Sequence, residues 1–349
     1  MRFEEVWSPA TVVATRNVAA GIREILIRPE NFNCNAYAVG SHIKVGVTID
    51  GRPDFRSYSL VGEADAAGYR IAVRLAEDSR GGSRYMWQLS PGARLNVTLP
   101  SSLLQIDWQR GSYCLIAGGI GVTPLVGAAQ ALARRNANVV LHHAVRSRRE
   151  AAYLDTLSAA LSDRLIVHAG DEGRRLDLAA LFAALDQQTV VLFCGPMRML
   201  EDARGAWAAT GRAPSDFCYE TFGSSGRFAS QPFRVRIKET GAEFTIPADR
   251  SMLDVLSAAG HDMISDCRRG ECGVCAVDVV AVDGLIDHRD VFFSDAQKRD
   301  NRKICPCVSR AQGVVTVDTA LRPDVALASS GPANRRGETR EARSWTAHR

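Results

Sequence analysis

Cysteines near the C-terminal end carry the clearest chemistry in this sequence. Cys267, Cys272 and Cys275 follow the pattern C-x4-C-x2-C, and Cys305 and Cys307 each offer a fourth thiol. This is a spacing with which four thiolates hold a [2Fe–2S] cluster. Thiolate suits the role because it is a soft ligand that holds both irons through a change of redox state. The spacing alone leaves the choice of fourth ligand open.

The cysteine loop, Cys267–Cys275, also contains Gly270 and Gly273. They predict a backbone close enough to the sulfurs to aim N–H groups at them, which tunes the potential of a cluster. A structural zinc site is the alternative. Zinc motifs pair C-x2-C with a second C-x2-C or with two histidines, and neither follows here. His261 and His288 likewise lack the paired C-x-H motifs of a Rieske centre.

A glycine turn lies near residue 120, where Gly119 and Gly121 follow a short apolar run. Thr123 and Pro124 fit the N-cap and the first position of a helix that runs to about Arg135. The pyrophosphate of a dinucleotide binds at such a helix N-terminus. The turn departs from G-x-G-x-x-G because proline replaces the third glycine, and no acidic residue ends the next strand.

Cys194, Gly195 and Pro196 form a second turn after an apolar strand. Open α/β sheets bind ligands at the carboxyl ends of their strands, so this turn is a second candidate contact for a nucleotide. The alternative for Cys194 is a small buried hydrophobic residue.

Two weaker signals lie in the first hundred residues. In Arg56-Ser57-Tyr58-Ser59 the arginine can grip a phosphate with its fork of N–H donors, and the aromatic ring can pack on a flavin. Arg80-Gly81-Gly82-Ser83 reads as a turn that opens a phosphate-binding helix. An ordinary strand, and a plain helix capped by Ser83, are the alternatives.

Three regions of regular structure must position these groups. Residues 1–108 read as an all-β barrel, residues 109–222 as a parallel α/β domain, and residues 233–321 as a small β-rich domain. A Gly/Ser-rich linker, 223–232, precedes the third, and a tail expected to be disordered, 322–349, follows it. The predicted strands are Thr11–Thr15, Ile22–Ile27, His42–Ile49, Tyr69–Leu75, Arg94–Thr98, Tyr113–Ala117, Asn138–Ala144, Arg164–Ala169, Thr189–Cys194, Asp216–Glu220, Phe233–Lys238, Glu243–Pro247, Cys275–Val282 and Val314–Thr319.

Composition excludes several classes of protein. The formal charge of +4 arises mostly in the tail, which holds six arginines, so nucleic-acid binding is not expected. No apolar run is long enough to span a membrane, and no signal peptide is apparent. Nine cysteines without a secretory signal indicate reduced thiols, and we expect a cytoplasmic monomer.

In this order the R-x-Y-S string, the G-G-I-G-V-T-P and C-G-P turns, and the cysteine pattern resemble the phthalate dioxygenase reductase family over about residues 10–321. The resemblance implies an FMN-binding barrel, an NADH-binding domain of ferredoxin-reductase type and a C-terminal plant-type β-grasp ferredoxin. The residues it implies for flavin and nucleotide are Arg56, Tyr58, Ser59, Arg80, Gly81, Gly82, Ser83, Gly119, Gly121, Val122, Thr123, Pro124, Arg146, Cys194, Gly195, Pro196 and Phe222.

Among these residues, Ser59, Cys194 and Phe222 are expected beside the reacting rings. The family's C-V-S-R signature matches Cys307 onwards and implies that Cys307 is the fourth cluster ligand. Cys305 remains the alternative, because its separation of 29 residues from Cys275 is closer to that of free-standing ferredoxins.

The cofactors explain why three modules share one chain. NADH gives two electrons as a hydride, the cluster accepts one, and a flavin between them can do both. The resemblance implies a separate terminal oxygenase as acceptor, Rieske-type and acting on aromatic acids or quaternary amines. Alternatives are a haem monooxygenase partner, FAD in place of FMN, and NADPH bound through Arg146, Arg148 and Arg149. A non-enzymatic redox sensor or electron carrier is a rival from another class.

Overall fold

The structure, a computed structural model, describes residues 6–30, 37–76, 79, 81–102, 104, 106–222, 228 and 230–319. These residues form three successive sheets. The predicted linker lies mostly, and the predicted tail wholly, outside them. Within the described ranges, no helix has the length and apolar character needed to cross a bilayer.

The first sheet is antiparallel and closes into a barrel. Its strands are β1 (Trp7–Ala19), β2 (Ile22–Pro29), β3 (Ser41–Ile49), β4 (Arg52–Ser59), β5 (Tyr69–Arg74), β6 (Arg94–Thr98) and β7 (Ser101–Ser102). Their order is β4-β3-β6-β1-β2-β5, with β7 beside β3, and a bridge between Leu60 and Ile71 joins the two ends. Ile43, Val45 and Val47 alternate along β3 and are buried inside the barrel, because alternate strand residues share a face. Helix α1 (Gly82–Gln88) packs against β3 and β5.

The second sheet is parallel. Its strands are β8 (Ser112–Gly118), β9 (Asn138–Val145), β10 (Leu165–Ala169), β11 (Val190–Cys194) and β12 (Phe217–Glu220). Its helices are α2 (Thr123–Arg134), α3 (Leu154–Leu161), α4 (Leu178–Ala184) and α5 (Met197–Ala209). The order β10-β9-β8-β11-β12 puts β8 and β11 in the middle, and both are apolar and buried because helices cover the two faces. The glycine turn after β8 and the C-G-P turn after β11 are therefore neighbours.

The third sheet is mixed. Its strands are β13 (Phe233–Ile237), β14 (Glu243–Ile246), β15 (Val277–Asp287), β16 (Lys303–Ile304) and β17 (Arg310–Asp318), and its helices are α6 (Met252–Ala258) and α7 (Asp295–Asp300). β13 pairs in parallel with β17, and the other pairings are antiparallel. Ser251 caps α6 in a capping box with Asp254, as the sequence predicts.

One hydrophobic core joins the barrel to the parallel sheet. It contains Ile22, Val61 and Ala72 of the barrel together with Leu115 and Leu125 of the second region. The two modules are thus packed against each other through apolar side chains, whereas the third sheet has its own core.

The predicted fold class is confirmed: an antiparallel sheet, a parallel α/β domain and a small ferredoxin-like domain follow in that order. Every predicted strand overlaps an observed one. The boundaries at residues 108, 222 and 232 stay a prediction.

The alternative cap at Ser83 and the predicted cap at Thr123 are both wrong. Gly81, not Ser83, is the N-cap of α1, and the Ser83 hydroxyl instead donates to the Ser79 hydroxyl at 2.8 Å. Thr123 is the first residue of α2 rather than its cap, because a 3-10 turn over Gly119–Val122 leads directly into the helix.

Candidate functional site

The cysteine loop lies in the connection between α6 and β15, which has no regular secondary structure. The backbone N–H groups of Arg269 and Cys272 each donate to the Cys267 sulfur at 3.4 Å, and the Gly270 N–H bonds to the Cys307 sulfur. Such donors favour the thiolate form that an iron cluster requires. N–H groups do point at the sulfurs, as predicted, although most of them come from residues other than glycine.

Gly270 and Gly273 adopt left-handed φ angles of 77° and 69°. A Cβ on Gly270 would lie 2.6 Å from a methyl carbon of Val308, and one on Gly273 would lie 2.3 Å from the Phe292 ring. A larger residue therefore fits at neither position. This close packing holds the cysteine loop against the segment that carries Cys307.

Cys305 and Cys307 lie between β16 and β17. The Cys307 sulfur is 3.2 Å from that of Cys275, and Cys305 also bonds to Cys275. The two positions differ in what lies around them, since Cys307 faces Cys267 and the cysteine loop whereas Cys305 is fully buried near Asp290. A group of thiols with backbone N–H donors is a donor set that fits an iron–sulfur cluster.

Strand β4 presents the R-x-Y-S residues at the barrel surface that faces the other modules. The Arg56 guanidinium bonds to Asp54 at 2.6 Å and to the Phe55 carbonyl at 2.7 Å. Burial raises the pKa of the Tyr58 phenol. Ser59 is buried, and its hydroxyl donates to Glu220 Oε1 at 3.3 Å.

The start of α1 lies directly beside this arginine. A Cβ on Gly82 would come within 2.6 Å of Arg56 Nε, so glycine leaves the space that the guanidinium needs. The barrel thus brings Arg56, Gly81, Gly82 and Ser83 together, as a phosphate-binding site requires. Arg80, the remaining residue predicted here, lies outside the described residues.

The glycine turn and the C-G-P turn pack backbone to backbone. A Cβ on Gly121 would lie 2.1 Å from the Cys194 carbonyl oxygen, so any side chain there would force the two turns apart. Val122, Thr123 and Pro124 are buried at the start of α2, and the Thr123 hydroxyl donates to the Ile120 carbonyl at 3.0 Å. The turns therefore form one surface at the carboxyl edge of the sheet, where a nucleotide is expected.

His143 supports this surface and was missed by sequence reasoning. Its imidazole is fully buried on β9, and Nε2 lies 3.1 Å from the Gly119 carbonyl, to which it can donate. Burial lowers the pKa of His143 to about 4, so the ring is neutral at physiological pH. A neutral donor on the neighbouring strand holds the glycine turn in place.

Glu220 is the point at which the three modules meet. It ends β12, its side chain is 2% exposed, and its Oε1 lies 3.8 Å from Arg269 Nη1 of the cysteine loop. Together with the bond from Ser59, this contact connects the barrel, the parallel sheet and the cysteine loop through one carboxylate. Burial raises the pKa of Glu220 to about 7; Arg269 lowers it, Glu271 raises it and Ser59 lowers it.

Cys194 lies beside this carboxylate. Burial, followed by the charge of Glu220, raises the pKa of its thiol well above the ordinary value. The thiol is therefore neutral and suits a contact with a ring rather than nucleophilic attack. Phe222 follows Glu220 by two residues and packs, half-buried, on the shared core.

The arginines after β9 are partly occupied by carboxylates. Arg148 forms a two-pronged ion pair with Glu172 at 2.5 and 2.9 Å, and the Ser147 hydroxyl lowers the pKa of Asp171 by hydrogen bonding. Arg146 is exposed, and its carbonyl accepts from the Asp171 N–H at 2.9 Å. Carboxylates thus lie beside the arginines that the sequence offers as contacts for a 2′-phosphate.

Two family models match the chain. The 2Fe-2S iron-sulfur cluster binding domain matches residues 235–312, and the oxidoreductase NAD-binding domain matches residues 115–205. These matches cover the cysteine loop and the glycine turn, respectively.

Relatives extend the likeness over most of the chain. The heme-dependent oxidative N-demethylase beta subunit of Ectopseudomonas mendocina (strain ymp) is 36% identical over 304 residues, which is 86% of this chain and 95% of that protein. The carnitine monooxygenase reductase subunit of Escherichia coli (strain K12) is 32% identical over 80% of this chain and 87% of its own length. A solved structure, phthalate dioxygenase reductase, described as modular for electron transfer from pyridine nucleotides to [2Fe–2S], superposes with a TM-score of 0.71. That structure is 27% identical and spans 89% of this chain and 98% of its own.

Proposed function

Because the chain belongs to the phthalate dioxygenase reductase family, the reductase subunits of oxygenase systems, we propose that it oxidises NADH and delivers single electrons to a Rieske-type terminal oxygenase. The observation that carries the proposal is the contact of Glu220 with both Ser59 and Arg269. It connects the predicted flavin-binding barrel, the predicted nucleotide-binding sheet and the cysteine loop in one site. The three modules must be in contact if two electrons enter together as a hydride and leave one at a time.

FMN is the proposed flavin, held by Arg56, Tyr58, Ser59 and the Gly81–Ser83 turn. Glycine at position 82 lets the Arg56 side chain pack directly against the start of α1, which supports a phosphate at that turn. The segment between β6 and β8, in its described part, contains only the two-residue barrel strand β7, which is little to hold the adenosine of FAD. Bound flavin would accept a hydride and release electrons one at a time.

The nucleotide is proposed to lie on the surface formed by the two turns. The residues that would hold it are Gly119, Gly121, Val122, Thr123, Pro124, Arg146, Cys194, Gly195, Pro196 and Phe222. His143 holds the glycine turn, and Ser59, Cys194 and Phe222 orient the reacting rings. The pairing of Arg148 with Glu172 supports NADH over NADPH, because a 2′-phosphate would meet a carboxylate where it needs a free arginine.

Cys267, Cys272, Cys275 and Cys307 are the proposed cluster ligands. Cys307 is preferred to Cys305 because it faces Cys267 and accepts the Gly270 N–H. We also propose the modules as residues 1–108, 109–222 and 233–321, and a monomeric state for the subunit.

Two relatives bear on the kind of oxygenase that would accept the electrons. A Rieske-type partner acting on aromatic acids or quaternary amines is the first choice, and the likeness to a carnitine monooxygenase reductase subunit supports it. A haem-dependent oxygenase is the second candidate, favoured by the likeness to a heme-dependent oxidative N-demethylase beta subunit.

One absorbance experiment tests the core of the proposal. The purified chain should absorb as a flavin and an iron–sulfur protein, bleach anaerobically with NADH, and then reduce cytochrome c. Released flavin should have the mass of FMN, and iron and acid-labile sulfide should be present in equal amounts. A colourless, zinc-containing protein would overturn the proposal, and a coloured protein that NADH does not bleach would favour a sensor or carrier.

A further inference from the structure

The cysteine loop does not stand free of the other modules. Arg268 lies 5.3 Å above the Phe55 ring of β4 and pairs with Asp54 at 3.3 Å. Asp266, one residue before the loop, lies 3.9 Å from Lys44 of β3. Cationic and acidic side chains thus hold this part of the third module against strands β3 and β4 of the barrel.

Arg269 contacts residues of all three modules, whereas the contacts just described reach only the barrel. Its Nη2 lies 2.8 Å from Glu271 of its own loop and 3.4 Å from His42 Nε2 of the barrel, and its Nη1 lies 3.8 Å from Glu220 of the parallel sheet. The guanidinium is only 11% exposed. Residues 42 and 220 are far from position 269 in sequence, so these contacts exist only when the modules are docked.

Because the Arg269 guanidinium is buried, its contacts favour the docked arrangement of the modules. A guanidinium removed from water is costly unless it is paired, and the partners of Arg269 are complete only in the docked state. His42 suits its part because burial, together with Arg269 and Lys44, lowers its pKa to about 3, which leaves a neutral ring that can accept through Nε2. The planar guanidinium of arginine spreads five N–H donors over three nitrogens in a fixed geometry, whereas the three donors of lysine share a single nitrogen.

We propose that Arg269 is a positioning residue that holds the cysteine loop in register with the flavin site and thereby sets the rate at which electrons reach the cluster. This inference rests on the proposed function. Oxidation of one NADH to NAD⁺ yields two electrons and one proton; the proton goes to solvent, and the electrons leave singly by way of the cluster. Electron transfer weakens steeply with distance, so a residue that fixes the separation of donor and acceptor controls this step.

The test uses the complete holoprotein with Arg269→Gln, Arg269→Lys and the double variant Arg269→Gln/Glu271→Gln. The double variant also removes the charge of Glu271, which the single change leaves largely buried without its arginine partner, so it guards against misfolding. Arg236→Gln is the matched control, because Arg236 pairs with Glu243 within its own hairpin and is 51% exposed. Stopped-flow absorbance measures flavin reduction by NADH and cluster reduction separately, and redox titration measures the cluster potential.

We expect flavin reduction, and ferricyanide reduction taken directly from it, to stay within about twofold of wild type. Cluster and cytochrome c reduction should fall at least about tenfold in both glutamine variants, since displacements on the order of 1 Å already impair positioned reactants. Arg269→Lys should give an intermediate rate. Hydrogen exchange, a readout independent of turnover, should rise at residues 41–45 and 219–222 in the glutamine variants but not in Arg236→Gln.

Two results would overturn the inference: wild-type cluster reduction in the double variant, or a slowed rate wholly explained by a shifted cluster potential. If wild-type protein itself transfers no electrons from NADH, the proposed function fails as well. If wild type transfers them and the variants match it, the inference about Arg269 fails alone.

Discussion

Replacing Glu220 by glutamine isolates the one strongly perturbed carboxylate at the meeting point of the modules. The change removes the charge and keeps the shape, so Ser59 can still donate to the side chain. Burial raises the pKa of Glu220 from 4.5 to about 7. At about 1.4 kcal/mol for each pKa unit, the ionised form is disfavoured in the folded chain by about 3 kcal/mol.

The direction in which stability changes with pH follows from the difference in proton affinity between the folded and unfolded states. The folded state binds this proton more tightly than the unfolded state, so the stabilisation from a neutral Glu220 is fully present below pH 4.5 and is lost as pH rises through about 7. Glutamine is neutral at every pH. The free energy of unfolding of the glutamine variant, taken relative to that of wild type, should therefore rise by about 3 kcal/mol as the pH rises from 4.5 to above 7.

Calorimetry of the holoprotein from pH 5 to pH 8 measures this difference. Because the barrel and the parallel sheet share a core, they should unfold together, and for a unit of that size about 3 kcal/mol corresponds to roughly 6–12 °C in Tm. Glu63→Gln, which removes a half-exposed carboxylate paired with Arg134, is the control for the loss of a carboxylate as such. A Glu220→Gln difference that is flat with pH, or an infrared carboxyl band in wild type that titrates near 4.5, would refute the reasoning.

Three further predictions concern the nucleotide and the cluster. Glu172→Gln should free its arginine partner for a 2′-phosphate and raise kcat/KM for NADPH relative to NADH about tenfold, equivalent to about 1.4 kcal/mol. Cys307→Ser should lose the cluster, measured as iron and sulfide content, whereas Cys305→Ser should keep it. Gly121→Ala should weaken NADH binding by at least about tenfold because its Cβ meets the neighbouring turn, whereas Gly205→Ala, with open space around it, should leave NADH binding unchanged.

A specific result would contradict each of these three predictions. Unchanged nucleotide preference in Glu172→Gln would show that the carboxylate does not oppose NADPH. Cluster loss in Cys305→Ser, with a full cluster in Cys307→Ser, would reverse the assignment of the fourth ligand. Equal NADH affinity in the two glycine variants would mean that the packed turns do not form the nucleotide site.

The sequence by itself determined the three modules and their order. Cysteine spacing, the glycine turn after an apolar strand and the alternation along strands such as β3 are local patterns, and local patterns follow from the geometry of a single element. For that reason the predicted strands overlap the observed ones, and the cluster loop could be located without a structure. The wrong caps at Ser83 and Thr123 are also local, since turn residues compete for the first position of a helix.

Only the tertiary structure decided which side chains meet between modules. Ser59, Glu220 and Arg269 lie far apart along the chain and carry no shared pattern, so nothing in the sequence connects them. His143 resembles any other residue of a buried strand until β9 is placed beside the glycine turn. Such contacts depend on how packed surfaces dock, and docking is set by the shape and burial of whole modules rather than by the periodicity of one segment.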